Sequence, residues 1–231
     1  MKKIGATFEI KKKIKLLVAC DGKAASGKTT AAKLISQKYS LHLLSSGLLY
    51  RYISYKLLSK KKLFNKNVYI KKISKNITLN KLKNNKLFDQ NVTHYSYKIA
   101  KSIKIRILLK KYQKNFAKRN HVCIEGRDIG SVICPNADIK LFFKCNLRVR
   151  ANRRWNEYRK NNSKITLSEV KKALKIRDYS DINRKHSPLR ISKDSIVIDT
   201  SKLSKKQMLS KISKIVNKKL ILKYGRNFKA R

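Results

Sequence analysis

The sequence predicts an α/β fold, a five-stranded parallel sheet flanked by helices. Three observations carry that expectation. Five short apolar runs, Ile14–Cys20, Leu41–Leu44, His121–Glu125, Ile139–Cys145 and Ser195–Asp199, have the length of buried strands. Helical patterns lie between them, and alternating strands and helices build parallel sheets. Four of the runs lead at once into polar or glycine-bearing segments: Asp21-Gly22, Ser45-Ser46-Gly47, Gly126-Arg127-Asp128 and Asp199-Thr200-Ser201. In a parallel sheet these segments share the carboxyl edge, so one common site is expected there.

The first run opens onto Gly22-Lys23-Ala24-Ala25-Ser26-Gly27-Lys28-Thr29, the pattern G-x-x-x-x-G-K-T. A helical pattern follows, with Ala31, Leu34, Ile35 and Tyr39 on one face. Strand, glycine loop and helix together make this a phosphate-binding loop. Its backbone N–H groups and the helix N-terminus face a polyphosphate. Lys28 reaches the β- and γ-phosphates, and the Thr29 hydroxyl is placed to ligate Mg²⁺. The motif implies a bound nucleoside triphosphate and leaves the fate of the phosphate open.

After the second run, Ser46 is expected to cap a helix carrying Tyr50 and Arg51 in its first turn. Arg51 then faces the mouth of the loop, where its planar fork suits an acceptor phosphate. Residues 58–93 are rich in Lys and Asn, with short apolar pieces, and read as a small inserted subdomain. One long helix is expected over about 96–118, with Ile99, Ile103, Ile107 or Leu108, Tyr112 and Phe116 on its core side. The third run ends in Glu125-Gly126-Arg127-Asp128-Ile129-Gly130, an Arg-Asp pair between glycines. Beyond the fourth run, Arg150, Arg153 and Arg154 share a helix face; three guanidiniums there repel unless an anion or water intervenes. A polar stretch from about 151 to 164 reads as a mobile lid. Arg177, Asp181 and Arg184 form a row on the next helix, suited either to a salt-bridge ladder or to phosphate and sugar contacts. The last helix, about 204–223, buries Met208, Ile212, Ile215 and Val216, and a frayed tail follows from Tyr224.

Composition bounds the function. With 231 residues and 42% hydrophobic content, the chain supports one sizeable core. No apolar stretch approaches the ~20 residues of a membrane span, and the basic N-terminus lacks the apolar segment of a secretory signal. Cys20, Cys123, Cys134 and Cys145 show no paired spacing and read as thiols of a reducing cytoplasm. The four histidines form no ligand cluster. Lys and Arg number 60 against 12 Asp and Glu, a formal net charge of +48. The lysines are spread along every helix, which fits drift toward residues with AT-rich codons better than a dedicated nucleic-acid arm. The field still attracts polyanions, RNA included, without specificity.

Taken in order, the motifs resemble those of the bacterial cytidylate kinase family. They are the loop at 22–29, Leu44-Ser45-Ser46-Gly47 to Tyr50-Arg51, Gly126-Arg127-Asp128-Ile129-Gly130-Ser131, Arg150-Ala151-Asn152-Arg153-Arg154, Arg177-Asp178 through Asp181 and Arg184 to Pro188-Leu189, and Ile198-Asp199-Thr200-Ser201. The likeness runs from about Lys15 to Ser201. It implies a P-loop kinase fold as one domain over 1–231: a core of 14–57, 94–150 and 165–223, a nucleoside-monophosphate-binding insert at 58–93 and the short lid. It implies Mg²⁺ and ATP held by Gly22, Lys23, Ala24, Ala25, Ser26, Gly27, Lys28, Thr29 and Thr30, with Arg153 from the lid. Lys28, Arg127, Arg150 and Arg154 become the catalytic cations. Ser46, Tyr50, Arg51, Arg106, Asp128, Arg177, Asp181 and Arg184 become the acceptor contacts, for CMP or dCMP.

The chain departs from the family pattern at Lys23 (a proline in the family), Ser45 (an aspartate) and Tyr97 (a base-contacting serine), and its insert is shortened. The implied protein is a cytoplasmic monomer that phosphorylates CMP and dCMP, with no specific nucleic acid or membrane partner. The competing readings are a kinase of the same fold with another acceptor, and a basic RNA-binding protein on a vestigial kinase fold.

Overall fold

The computed structural model describes residues 15–60, 62, 64–119, 121–159 and 164–225. Its centre is a sheet of β1 (Leu17–Gly22), β2 (His42–Ser45), β3 (Val122–Gly126), β4 (Ile139–Lys144) and β5 (Ile196–Asp199). The order is β2-β3-β1-β4-β5, and every neighbouring pair is parallel. The five predicted runs are therefore the five strands; Ile14 lies outside the described residues. β1 is central, with Asp21 registered against Gly126 on one side and Phe142 on the other.

Alternation along each strand sends side chains to two different helical layers. Val18, Cys20, Cys123, Leu141 and Phe143 pack beneath α1 (Lys28–Lys38) and α8 (Lys205–Tyr224). Ala19, Val122 and Ile124 pack against α2 (Ser46–Leu58) and α5 (Ile103–Ala117). The four cysteines are free thiols, three of them buried. α8 starts at a capping box between Ser204 and Gln207 and buries Met208, Ile212, Ser213, Val216 and Leu220, with Ile215 partly covered. Tyr224 is not frayed: its hydroxyl donates to Lys15 O at 2.7 Å and accepts from Lys15 N at 3.0 Å. The tail at 226–231 lies outside the described residues.

Within 58–93 lie α3 (Lys66–Lys75), capped by the Asn65 side chain, and two short 3-10 turns at Lys81–Lys83 and Asn85–Phe88. Ile70, Ile73, Ile77, Leu82 and Leu87 from this stretch bury in the same cluster as α2 and α5.

The long helix expected over 96–118 is two helices, α4 (Gln90–Ile99) and α5. Ser102 takes an extended conformation and its hydroxyl accepts from Ile105 N, so it caps a new helix rather than continuing the old one. The break resets the helical phase. Ile105, Leu109 and Phe116 are buried with Arg106 and Gln113; Ile103, expected inside, is exposed, and of the alternatives Ile107 and Leu108 it is Leu108 that packs against the core. α6 (Leu147–Arg159) and α7 (Leu167–Asn183) pack on each other and on the phosphate loop through Ala24, Ala151, Val170 and Leu174. Most of the polar stretch read as a lid is the second half of α6; 160–163 lie outside the described residues. Among the described residues no helix is long and apolar enough to cross a membrane.

Candidate active site

β1 ends at Gly22 and α1 begins at Lys28, so the loop between them sits at the carboxyl edge of the central strand. Gly22 has φ +151°, and a Cβ there would lie 2.5 Å from Phe143 O. Gly27, just before the helix, has φ +85°. These two motif glycines meet a positive φ, and at Gly22 a close backbone approach also excludes a side chain. The Thr200 hydroxyl donates to Ser26 O at 2.8 Å, which ties the loop to the end of β5. Lys28 Nζ donates to Lys23 O at 3.3 Å and stands 4.0 Å from Glu125 Oε2. Burial, with Arg127 adding repulsion, brings the Lys28 ammonium down to about 7 despite Glu125. Thr29 and Thr30 follow in the first turn of α1, with Thr29 exposed.

Asp21 was legible only as a polar strand end. It is buried and accepts from Ile129 N at 2.9 Å and Gly130 N at 2.7 Å. Burial pushes its carboxyl up to about 6 against those two donors. Asp21 thereby holds the turn that presents Arg127 and Asp128. Glu125 accepts from the Ser45 hydroxyl and faces Lys28, so it joins β2 to the loop.

Across from the loop, residues expected to contact an acceptor converge from the end of β3 and from α4, α5 and α7. Arg127 Nε donates to Asp181 Oδ2 at 2.8 Å. Burial weakens the Arg127 guanidinium, but Asp181 outweighs it and the net shift is upward. Burial likewise raises Asp181, and Arg127 and Arg177 bring it below the ordinary carboxylate range. Arg106 Nη2 donates to Asp128 Oδ2 at 2.5 Å, and Arg184 Nη2 lies 3.6 Å from Asp128 Oδ1. Arg184 is not on the helix face of Arg177 and Asp181, because it is the extended C-cap residue of α7. It joins them through its position just past the helix end, with Nη1 3.7 Å from Asp181 Oδ1.

Arg177 is lowered to about 10, chiefly by burial. Its Nη1 donates to the Tyr97 hydroxyl at 2.7 Å. Aromatic rings also back Arg51, through Phe88, and Arg106, through Tyr50. Burial pushes the Tyr50 phenol up to about 12, against the Arg106 charge. Among the described residues, Arg106 Nε, Arg177 Nε and Arg184 Nη2 are buried donors without a hydrogen-bond partner. Each of these guanidiniums still pairs with Asp128 or Asp181, so what stays unsatisfied is one hydrogen-bond donor per arginine.

Ser46 is the first residue of α2, not its cap; Ser45 holds the cap position. The Ser46 hydroxyl is buried and accepts from Gln113 Nε2, a polar contact from α5 that the sequence reading missed.

Three of the arginines of α6, Arg150, Arg153 and Arg154, differ in their contacts. Arg150 does not wait for an anion: it is buried and its donors are already bonded. Its Nη1 and Nη2 meet Asp178 at 3.1 and 2.6 Å, Nη1 also meets Ala24 O at 3.2 Å, and Nε meets Cys145 O at 3.1 Å. Arg153 donates to Thr200 O at 2.7 Å beside the loop. Arg154 pairs with the exposed Glu157 at 2.9 Å, and its charge helps burial to lower Arg51 and Arg177. Arg154 is thus the α6 cation nearest the acceptor cluster in its electrostatics.

The described residues hold no group of three or more His, Cys, Asp or Glu that would cage a metal. The donors beside the loop, the Thr29 hydroxyl and the Glu125 carboxylate, are oxygens only. They suit Mg²⁺, which keeps water and substrate phosphate among its ligands.

Comparison with known proteins agrees with this geometry. A family model described as cytidylate kinase matches residues 18–218. The chain is 38% identical over 125 residues to a cytidylate kinase of Thermosipho melanesiensis, an alignment covering 54% of this chain and 58% of that protein. It is 39% identical over 132 residues to a cytidylate kinase of Clostridium botulinum, covering 57% and 59%. The matches thus span less than two thirds of these relatives' own length. Among solved structures, an uncharacterized protein from Eubacterium ventriosum superposes with a TM-score of 0.52 at 16% identity, covering 87% of this chain and 98% of that one. That likeness is one of fold.

Proposed function

This chain belongs to the cytidylate kinase family, and from that premise we propose that it transfers the γ-phosphoryl group of ATP to CMP and dCMP. The observation that carries the reading is a single mouth. The phosphate loop, with its buried Lys28, and the turn of Arg127 and Asp128 follow the adjacent strands β1 and β3, and Arg177, Asp181 and Arg184 reach that turn from α7. One side suits a triphosphate and the other an anion attached to a polar group.

In the proposed reaction an oxygen of the acceptor phosphate bonds to the γ-phosphorus as the bond to the bridging oxygen of ADP breaks. The products are ADP and CDP or dCDP. The acceptor oxygen is already ionised, so no general base is required. Lys28 follows the charge that gathers on the transferring group, and Arg127 and Arg154 add to it. Arg177, Arg184 and Arg51 orient the acceptor phosphate, while Arg106 and Asp128 face its base. Arg150 supports this set by fixing the loop to α6 and α7. Thr29 and Glu125 would hold Mg²⁺, which would lend positive charge to the triphosphate.

The test is ADP release with ATP and Mg²⁺ against CMP, dCMP, UMP, AMP, GMP and no acceptor, at low and high salt. Turnover confined to CMP and dCMP is the expected result. Turnover with another acceptor keeps the kinase and discards the cytidine. Silence across the panel from folded protein, with salt-sensitive RNA binding, overturns the reading in favour of a basic binding protein.

A further inference from the structure

We infer that Tyr97 is an acceptor-binding residue of this chain, which holds Arg177 in place and adds its own hydroxyl proton to the donors that meet the acceptor's phosphate. The inference rests on the phosphotransfer reading above and deepens it.

Two contacts link Tyr97 to Arg177. The guanidinium carbon lies 4.1 Å from the ring centroid, and Nη1 donates to the phenol oxygen at 2.7 Å. Among the described residues this is the shortest cation–ring distance; Arg51 and Arg106 sit 5.4 and 5.9 Å from their aromatic partners. The neighbouring carboxylate does not compete. Asp181 Oδ2 is bonded to Arg127 at 2.8 Å and stands 3.9 Å from Arg177 Nε, which has no hydrogen-bond partner. Tyr97 therefore orients Arg177 more firmly than the ion pair does.

A phenol that accepts from a guanidinium cannot donate back to it, since arginine has no acceptor. Apart from Arg177, the Tyr97 hydroxyl makes no hydrogen bond among the described residues. Its proton is therefore free to meet another acceptor. Besides Arg177, the cations Arg51 and Arg127 lie within electrostatic reach of Tyr97. The group that would accept the proton in such surroundings is an anionic oxygen. A serine at this position is too short to stack on Arg177, so the tyrosine moves a contact toward the phosphate.

The experiment measures CMP and inorganic phosphate binding by calorimetry for the parent, Tyr97→Phe, Arg177→Ala and the double variant. Steady-state constants are measured for the parent and Tyr97→Phe. Tyr97→Phe keeps the ring and removes only the hydroxyl, so the fold is preserved. The expected result is about tenfold weaker binding of both probes, the size of one lost charge-assisted hydrogen bond. The loss falls in the acceptor KM rather than in the ATP KM. In the Arg177→Ala background the same change costs little, because the phenol has lost the cation it works with. Unchanged phosphate affinity, or an equal loss in both backgrounds, overturns the inference. A parent that is silent with CMP while Tyr97→Phe still weakens phosphate binding keeps Tyr97 and rejects the reaction. CMP turnover with Tyr97-independent binding does the reverse.

Discussion

Single residues here carry charges that the fold makes expensive, and Lys28 is the clearest case. Its ordinary value of 10.5 falls to about 7 because the ammonium is buried. Between those two values the unfolded chain holds a proton that the folded chain has lost, so stability rises with pH across that window. Below about pH 7 both states hold the proton and the folded protein bears the full cost of burying it. Lys28→Met should thus abolish turnover yet be more stable than the parent at about pH 6, on the order of a few kcal/mol. The difference should shrink as the pH approaches the unfolded value. Urea melts of the two proteins across pH check this, and equal stability throughout would mean that Lys28 is not desolvated. The role proposed for Lys28 could be read from the sequence because its motif is local. The supports Asp21, Glu125 and Gln113 were not, because each is defined by a partner far away in the chain: Asp21 by Gly130, Glu125 by Ser45, Gln113 by Ser46.

At the level of elements, α6, α7 and the phosphate loop are joined by one buried ion pair. Arg150 and Asp178 expose only 4% and 10% of their side chains, so breaking the pair strands a charge in the interior. Arg150→Ala should cost about 3–5 kcal/mol, measured by chemical denaturation. Arg150→Met combined with Asp178→Leu should recover most of that stability while turnover stays low, because Ala24 loses its brace. A double variant no more stable than Arg150→Ala would show that the pair itself matters little. Helical spacing put Arg150 with Arg153 and Arg154 but said nothing about Asp178, which lies on a different helix. The same limit applies to the helix expected over 96–118. Periodicity extended one phase across Ala100–Ser102, where a side-chain cap starts a second helix and turns Ile107 outward.

The whole molecule carries +48 on 231 residues, with lysines on every α-helix but α6, and this charge opposes compaction. Salt screens it within about 10 Å at 0.1 M. Raising NaCl from about 0.05 to about 0.5 M should therefore raise the thermal midpoint by several degrees, read by circular dichroism. A midpoint indifferent to salt would mean that the charges are already well separated. The sequence alone determined the strand set, the parallel sheet and the phosphate-loop motif, and it named the residues proposed to meet the acceptor. These follow from short-range patterns: apolar runs, glycines at fixed offsets and polar segments at strand ends. Only the tertiary structure decided which cations are free and which are tied. Arg150 and Arg153 have their donors bonded within the protein, Arg177 leans on Tyr97, and Arg106, Arg177 and Arg184 pair with Asp128 or Asp181 while each keeps one buried nitrogen without a hydrogen bond. A guanidinium's role depends on which oxygens lie within about 3 Å of it, and chain spacing does not record that distance.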